Sequence, residues 1–131
     1  MPPTRKLQRP KAVREQPDRE DRIIFNIVVD AYNETERAMS WYYHLEDELG
    51  VPFKAKCVTA RATSPLEVGQ EVDVLSMADE DDCTSEVLVT VKLGKSKLVA
   101  PLAQLECVIA DECTRQAVAD WHYWVGRGYR Y

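Results

Sequence analysis

The residues with the clearest chemical potential are five carboxylates close together in the chain, four of them consecutive. They are Asp79, Glu80, Asp81, Asp82 and Glu86. Consecutive carboxylates repel one another, so a folded domain tolerates them where water solvates the loop or where a cation lies among them. Carboxylate oxygens are also the ligands that Ca²⁺ prefers. The run therefore predicts either a calcium site or a solvated hairpin tip.

The acidic run does not follow the EF-hand template. Counting from Asp79, the fifth position holds Cys83, the sixth holds Thr84 in place of glycine, and the twelfth holds Thr90 in place of glutamate. These are positions that fix the geometry of an EF-hand loop. A calcium site here would have to be a different construction, completed by groups from elsewhere in the fold.

Five other carboxylates could complete such a site or form a second, weaker one. Glu46 and Asp47 lie at the C-terminal end of a predicted helix, where negative charge opposes the helix dipole. A solvated helix face is the favoured explanation of these two residues. The secondary candidates are Glu46, Asp47, Asp111, Glu112 and Asp120.

Other chemistry has little support. The four cysteines show no CxxC spacing and no accompanying histidine cluster, so they are expected to be reduced rather than zinc-bound. His44 and His122 lie among aromatic residues and are expected to pack rather than to act as bases. The chain has no phosphate-binding loop, nucleophile elbow or HExxH motif. We expect no catalytic residues and no enzyme.

Charge is distributed unevenly along the 131 residues, whose formal net charge is −5. Residues 1–22 carry seven Lys and Arg against four Asp and Glu, about +3, and residues 23–131 carry ten against eighteen, about −8. An acidic body attracts cations and argues against nucleic-acid binding. No apolar run is long enough to cross a membrane, and the charged, Pro-rich start lacks the apolar region of a secretory signal. A cytoplasmic monomer is predicted.

The organisation follows from composition and periodicity. Residues 1–21 are predicted to be a disordered basic tail, with a protein partner as one use for it, and residues 22–131 a single domain. A helix is favoured over 22–32, although its β-branched content would also suit a strand. Asn33 and Glu36 form a capping box for a second helix, which Gly50 and Pro52 end.

Short strands then occupy the centre of the chain. Alternating apolar residues and tight turns predict four or five of them between residues 53 and 108, followed by a helix capped at Asp111 or Cys113-Thr114 and ended by Gly126 and Gly128. The fold class predicted is α+β: a small SH3-like barrel or bent antiparallel sheet, flanked by an N-terminal and a C-terminal helix.

Several phrases together resemble a known family. WYYHLEDEL at 41–49 with VPFKA at 51–55, SPLEVG at 64–69, VAPLAQL at 99–105 and DWHYW at 120–124 resemble the CcbP-like family of small calcium-binding proteins first known from cyanobacteria. Ser76 and His44 depart from the family pattern, and the basic tail has no counterpart in it. The resemblance covers residues 22–131.

The resemblance implies an intracellular Ca²⁺ buffer or sensor whose sites are not EF-hands. In the family pattern an acidic, Cys-containing loop follows the position of Met77, where the acidic run lies here. The alternative is a metal-free protein-interaction module built on an SH3-like barrel.

Overall fold

Two helices, a five-stranded sheet and a third helix follow one another along the chain. The computed structural model describes residues 16–129 and Tyr131. The helices are α1 Pro17–Asn26, α2 Glu34–Glu48 and α3 Glu112–Gly126. The strands are β1 Phe53–Cys57, β2 Glu71–Met77, β3 Leu88–Leu93, β4 Ser96–Pro101 and β5 Leu105–Ile109, with short 3₁₀ helices at Glu80–Asp82 and Leu102–Gln104.

The sheet is antiparallel throughout, in the order β4-β3-β2-β1-β5. Strands β1 to β4 form a meander, and β5 returns across the sheet to pair with β1, which is the strand order of an SH3-like barrel. Ala55 on β1 pairs with Val72 of β2 on one side and with Cys107 of β5 on the other. Register shifts in the β1–β5 and β2–β3 pairings bend the strands. The α+β prediction is confirmed.

An aromatic cluster joins α2 to α3 beneath the sheet. Trp41 on α2 packs against Trp121, with ring centroids 5.0 Å apart, and against Trp124, at 6.1 Å. Tyr131 lies against Trp121 at 5.5 Å. All four side chains are buried, and in the part of the chain that the structure describes none of the three indole N–H groups has a hydrogen-bond partner. Large buried rings of this kind contribute much of the packing energy of a small domain.

The predicted ends of α2 and α3 agree with the structure. Asn33 Oδ1 accepts a hydrogen bond from the Glu36 amide at 2.9 Å, but the Glu36 carboxylate reaches the amide of Tyr32, at 2.8 Å, instead of closing the capping box on Asn33. Asp111 caps α3 by accepting from the Thr114 amide at 2.7 Å. Each cap satisfies an amide that the helix itself cannot.

Helix α1 corrects two boundaries. It begins at Pro17, so residues 17–21 of the predicted tail are helical, and it ends at Asn26, so residues 27–32 are turns rather than the predicted helix. Proline favours the first helical position, and the contacts of Glu20 and Arg22 with α3 stabilise a segment too polar to attract notice in the sequence. Residues 1–15 of the predicted tail lie outside the described residues.

Three smaller predictions concern the cysteines, the histidines and membrane-spanning segments. All four cysteines are free; Cys57 and Cys83 are buried, Cys107 is half-buried and Cys113 is exposed. His44 packs edge-on against Trp41, and the Nε2 of His122 lies 2.6 Å from the carbonyl oxygen of Leu105. Among the described residues, no helix combines the length and the apolar character needed to cross a membrane.

Candidate metal centre

The acidic run lies in the loop that joins β2 to β3, between Met77 and Leu88. Asp79 opens a single 3₁₀ turn over Glu80–Asp82, and its Oδ1 accepts a hydrogen bond from the Asp81 amide at 3.1 Å. The turn projects all four carboxylates of Asp79–Asp82 into solvent. Serving as the cap fixes the orientation of Asp79.

Two tyrosine hydroxyls hold the ends of this turn. The Tyr42 hydroxyl on α2 donates to the carbonyl oxygen of Ala78 at 2.8 Å, and the Tyr131 hydroxyl donates to the carbonyl oxygen of Cys83 in a short hydrogen bond. Both phenol rings are buried. The backbone on either side of the carboxylates is therefore fixed by groups that are not themselves candidate ligands.

Helix α2 also brings one secondary candidate toward the loop. The Tyr43 hydroxyl donates to Glu80 Oε2 at 2.9 Å. Glu46 lies one turn further along the same face as Tyr42 and Tyr43, because side chains three and four positions apart in a helix are neighbours. Glu46 and Glu80 therefore flank the same pair of tyrosines.

The negative field of the loop reaches these neighbours. Burial, followed by the charges of Glu46, Cys83, Asp79 and Glu80, raises the pKa of Tyr42 above its ordinary value. Burial is also the main cause of a raised pKa for the Cys83 thiol, and the nearby carboxylates add to it. The Tyr42 phenol and the Cys83 thiol are thus held in their protonated forms mainly by burial, with the negative charge of the loop adding to it. Negative charge concentrated in this way attracts cations.

Glu86, the fifth principal candidate, already has a cationic partner. Its two carboxylate oxygens accept from the Arg61 guanidinium at 3.0 and 2.7 Å, a bidentate pair between two loops. Such pairs are among the stronger side-chain contacts. Glu86 could ligate a metal only by leaving Arg61.

Two secondary candidates are directed toward α1 and His44. Asp120 is buried, with Oδ1 2.5 Å from Arg22 Nη2 and 3.6 Å from Arg19 Nη1. Asp47 is exposed, and its charge acts on His44. The neutralisation of Asp120 by two guanidinium groups gives it a structural role in joining α1 to α3.

The last two secondary candidates lie at the start of α3. Asp111 is the cap of that helix, and hydrogen bonds from Thr114 lower the pKa of its carboxyl group. Its carboxylate also lies against Gly50, where a Cβ atom would collide with it. Glu112 is exposed in the first turn, where its charge complements the helix dipole.

The predicted ligands are not assembled into a cage. Across residues 16–129 and Tyr131, no three His, Cys, Asp or Glu side chains converge in a geometry that could hold a metal ion. The donor set itself fits Ca²⁺, which takes six to eight oxygen ligands at flexible angles, including backbone carbonyls and water. The loop supplies oxygen donors in sufficient number, but their side chains must rotate to meet.

Sequence reasoning missed the groups that position the loop. From the sequence, Tyr42, Tyr43 and Tyr131 were assigned no part in the candidate site. The period-3.6 spacing of Tyr42 and Glu46 could have indicated a shared face. Nothing local to Tyr131 indicates its contact with Cys83, which is 48 residues away in the chain.

Comparisons with known proteins point to one family. A family described as calcium binding, CcbP, matches residues 21–125. The crystal structure of Anabaena CcbP is 41% identical, with a TM-score of 0.79, and the match covers 91% of this chain and 98% of that one. A structure described as a calcium binding protein in the calcium-binding form is 38% identical, also with a TM-score of 0.79, over 88% of this chain and 95% of that one. No curated protein sequence matches.

Proposed function

We propose that this chain, which belongs to the CcbP calcium-binding family, binds Ca²⁺ through the β2–β3 loop with help from α2. Ca²⁺ binding is the property by which the family is described. The principal ligands proposed are the carboxylates of Asp79, Glu80, Asp81 and Asp82, with Glu46 as the first of the secondary group. Backbone carbonyls and water supply the remaining oxygens.

One observation carries the proposal. The four carboxylates of Asp79–Asp82 enter none of the ion pairs between described residues, whereas Glu86, Asp73, Glu20 and Asp120 each have a basic partner. Uncompensated charge of one sign, on a turn whose backbone is already fixed, is what a divalent cation stabilises. The cost of ordering the backbone is met before the ion arrives.

Binding then proceeds by side-chain closure. The ion is drawn in by the acidic body, and the loop carboxylates rotate onto it as it sheds water. Glu80 leaves the Tyr43 hydroxyl or shares its second oxygen with the ion. Because the folded protein binds Ca²⁺ and the unfolded chain lacks this arrangement, binding stabilises the fold by mass action, about 2.7 kcal/mol at a hundredfold excess over Kd.

A thermal-unfolding series tests the assignment. Millimolar Ca²⁺ is expected to raise the melting temperature more than equal Mg²⁺, and the variant D79N/E80Q/D81N/D82N is expected to abolish that difference. These changes keep the hydrogen-bond acceptors used by the Asp81 amide and by Tyr43, since Asn caps as well as Asp does. Calorimetric titration with Ca²⁺ gives affinity and stoichiometry for both proteins.

The matched control removes the same number of charges elsewhere. The variant D21N/E67Q/E71Q/E106Q changes four exposed carboxylates outside the loop and leaves the net charge equal to that of the loop variant. It should keep the response to Ca²⁺. If both variants lose the response equally, general electrostatic attraction explains binding and the loop assignment is wrong.

Several accompanying proposals concern the state of the protein. We expect a cytoplasmic monomer that buffers or senses Ca²⁺, without catalytic activity and without affinity for nucleic acid or membranes. Light scattering with and without Ca²⁺ tests the monomer. A protein partner held through the basic N-terminal residues is also proposed.

A further inference from the structure

A groove runs between α2 and the acidic loop. Its volume is about 240 Å³. Small-molecule pockets usually measure roughly 300–1,000 Å³, so this one suits one or two side chains of a peptide better than a metabolite. Its lining includes Thr35, Met39 and Tyr42 from α2 and Glu80, Asp81 and Thr84 from the loop.

The groove combines an apolar wall with an acidic rim. Met39, which lines the groove, exposes 44% of its surface, and Tyr43, one turn further along α2 and outside the lining, exposes 45%. Glu80 and Asp81 stand on the opposite side with no cationic partner among the described residues. A partner that fits this surface carries positive charges around an apolar side chain.

The chain itself contains such a segment. Residues 1–15 hold five Lys and Arg against one Asp or Glu, a net charge of about +4, and Leu7 lies between Lys6 and Arg9. The segment joins the domain at Gln16, whose backbone amide donates to the Tyr123 hydroxyl at 2.9 Å. Fifteen residues can span up to about 50 Å, and a domain of this size has a radius of gyration near 13 Å, so the groove is within reach.

We propose that the basic segment 1–15 docks into the groove between α2 and the acidic loop and competes there with Ca²⁺. This inference rests on the loop's role as the Ca²⁺ site. Both ligands are cationic, and both require Glu80 and Asp81. A short tether gives the segment an effective concentration in the millimolar range, so a contact whose Kd is about half that concentration or less weakens Ca²⁺ binding about threefold or more.

The test titrates Ca²⁺ into full-length variants. R5Q/K6Q/R9Q removes three charges from the segment and is expected to tighten Ca²⁺ binding about threefold or more at low salt. The gain should shrink at 0.5 M salt, where screening already separates the segment from the loop. K92Q/K95Q/K97Q removes three exposed charges from β3, β4 and the turn between them and serves as the control, because it alters net charge equally.

A second variant changes the groove instead of the segment. Thr35→Trp places an indole over the groove at an exposed position and should tighten Ca²⁺ binding as the segment variant does. Combining the two should add nothing further, because each removes the same contact. The ¹³C methyl resonance of Met39, one of three methionines, should move on R5Q/K6Q/R9Q substitution without Ca²⁺ present.

The outcomes separate this inference from the function on which it rests. If R5Q/K6Q/R9Q and K92Q/K95Q/K97Q change Ca²⁺ affinity equally and the Met39 resonance stays in place, docking is refuted while Ca²⁺ binding stands. If no protein binds Ca²⁺ but the Met39 resonance moves, the Ca²⁺ assignment and the competition both fail, and only the docking contact survives.

Discussion

Replacing Tyr131 with Phe should make the backbone at the end of the acidic loop more mobile. The substitution removes only the hydroxyl that donates to the Cys83 carbonyl, in a side chain that is 1% exposed. A buried carbonyl left without a donor costs about 1–3 kcal/mol. For a domain of this size that predicts a melting temperature lower by about 4–10 °C.

The same change should weaken Ca²⁺ binding. Cys83 ends the turn that carries the carboxylates, and releasing one backbone residue adds an ordering cost of about 1 kcal/mol on binding. That corresponds to an affinity about fivefold lower. Calorimetric titration measures the loss, and it should appear without any change in stoichiometry.

Alkaline pH provides an independent readout. Burial, with the charges of Cys83 and Glu86 adding to it, raises the pKa of Tyr131 above that of an exposed phenol. The folded state thus favours the neutral hydroxyl, so its contribution to stability is complete below the unfolded-state pKa near 10. Above that pH the contribution declines by about 1.4 kcal/mol per pH unit. The parent protein should therefore lose stability more steeply above pH 10 than Tyr131→Phe does.

Tyr129→Phe is the matched control. Its ring stacks on Trp124 with centroids 3.9 Å apart, and the substitution keeps that stack. Thermal unfolding, followed by circular dichroism at pH 7 and at pH 10.5, compares the three proteins. Equal melting temperatures for Tyr131→Phe and Tyr129→Phe at pH 7 would refute the role given to the Tyr131 hydroxyl.

Two further substitutions test individual carboxylates. Arg61→Gln frees Glu86 from its bidentate pair, so the calorimetric affinity for Ca²⁺ should rise about threefold or more if Glu86 is a ligand. The double variant R61Q/E86Q should lose that gain. An unchanged affinity in Arg61→Gln would remove Glu86 from the site. Asp111→Ala should lower the free energy of unfolding, measured by chemical denaturation, by about 1–2 kcal/mol because the Thr114 amide loses its cap. Asp111→Asn keeps the cap and should lower it little. A loss of Ca²⁺ binding in Asp111→Asn would contradict a purely structural role for Asp111.

The regular elements were largely predictable because their information is local. Capping residues and the helical spacing of apolar residues predict α2 and α3. Alternation of apolar and polar residues, bounded by turn residues, predicts the strands. The bounds of α1 were predicted wrongly because only part of the information that defines this helix is local in the sequence. Pro17 marks its start, but the contacts that stabilise it come from Asp120 and Tyr123, about a hundred residues away.

The candidate site divides in the same way. Residue type alone nominates Asp79–Asp82 as candidate ligands, and that assignment stays a prediction. Residue type could not reveal that Glu86 is bound by Arg61, nor that Asp120 is buried between two arginines, because these pairings depend on how distant segments meet. Family membership, by contrast, was recoverable from short phrases spread over the chain, and the comparisons confirm it.

The aromatic cluster beneath the sheet gives the molecule a built-in optical probe. All three tryptophans are buried together, and their indole groups lack polar partners in the described part of the chain, so their emission should lie at short wavelength. Tyr131 contacts Trp121 through its ring and the acidic loop through its hydroxyl. A conformational change at the loop should therefore reach the tryptophans through the Tyr131 side chain. Titration of the unlabelled protein with Ca²⁺ should then change its intrinsic tryptophan fluorescence.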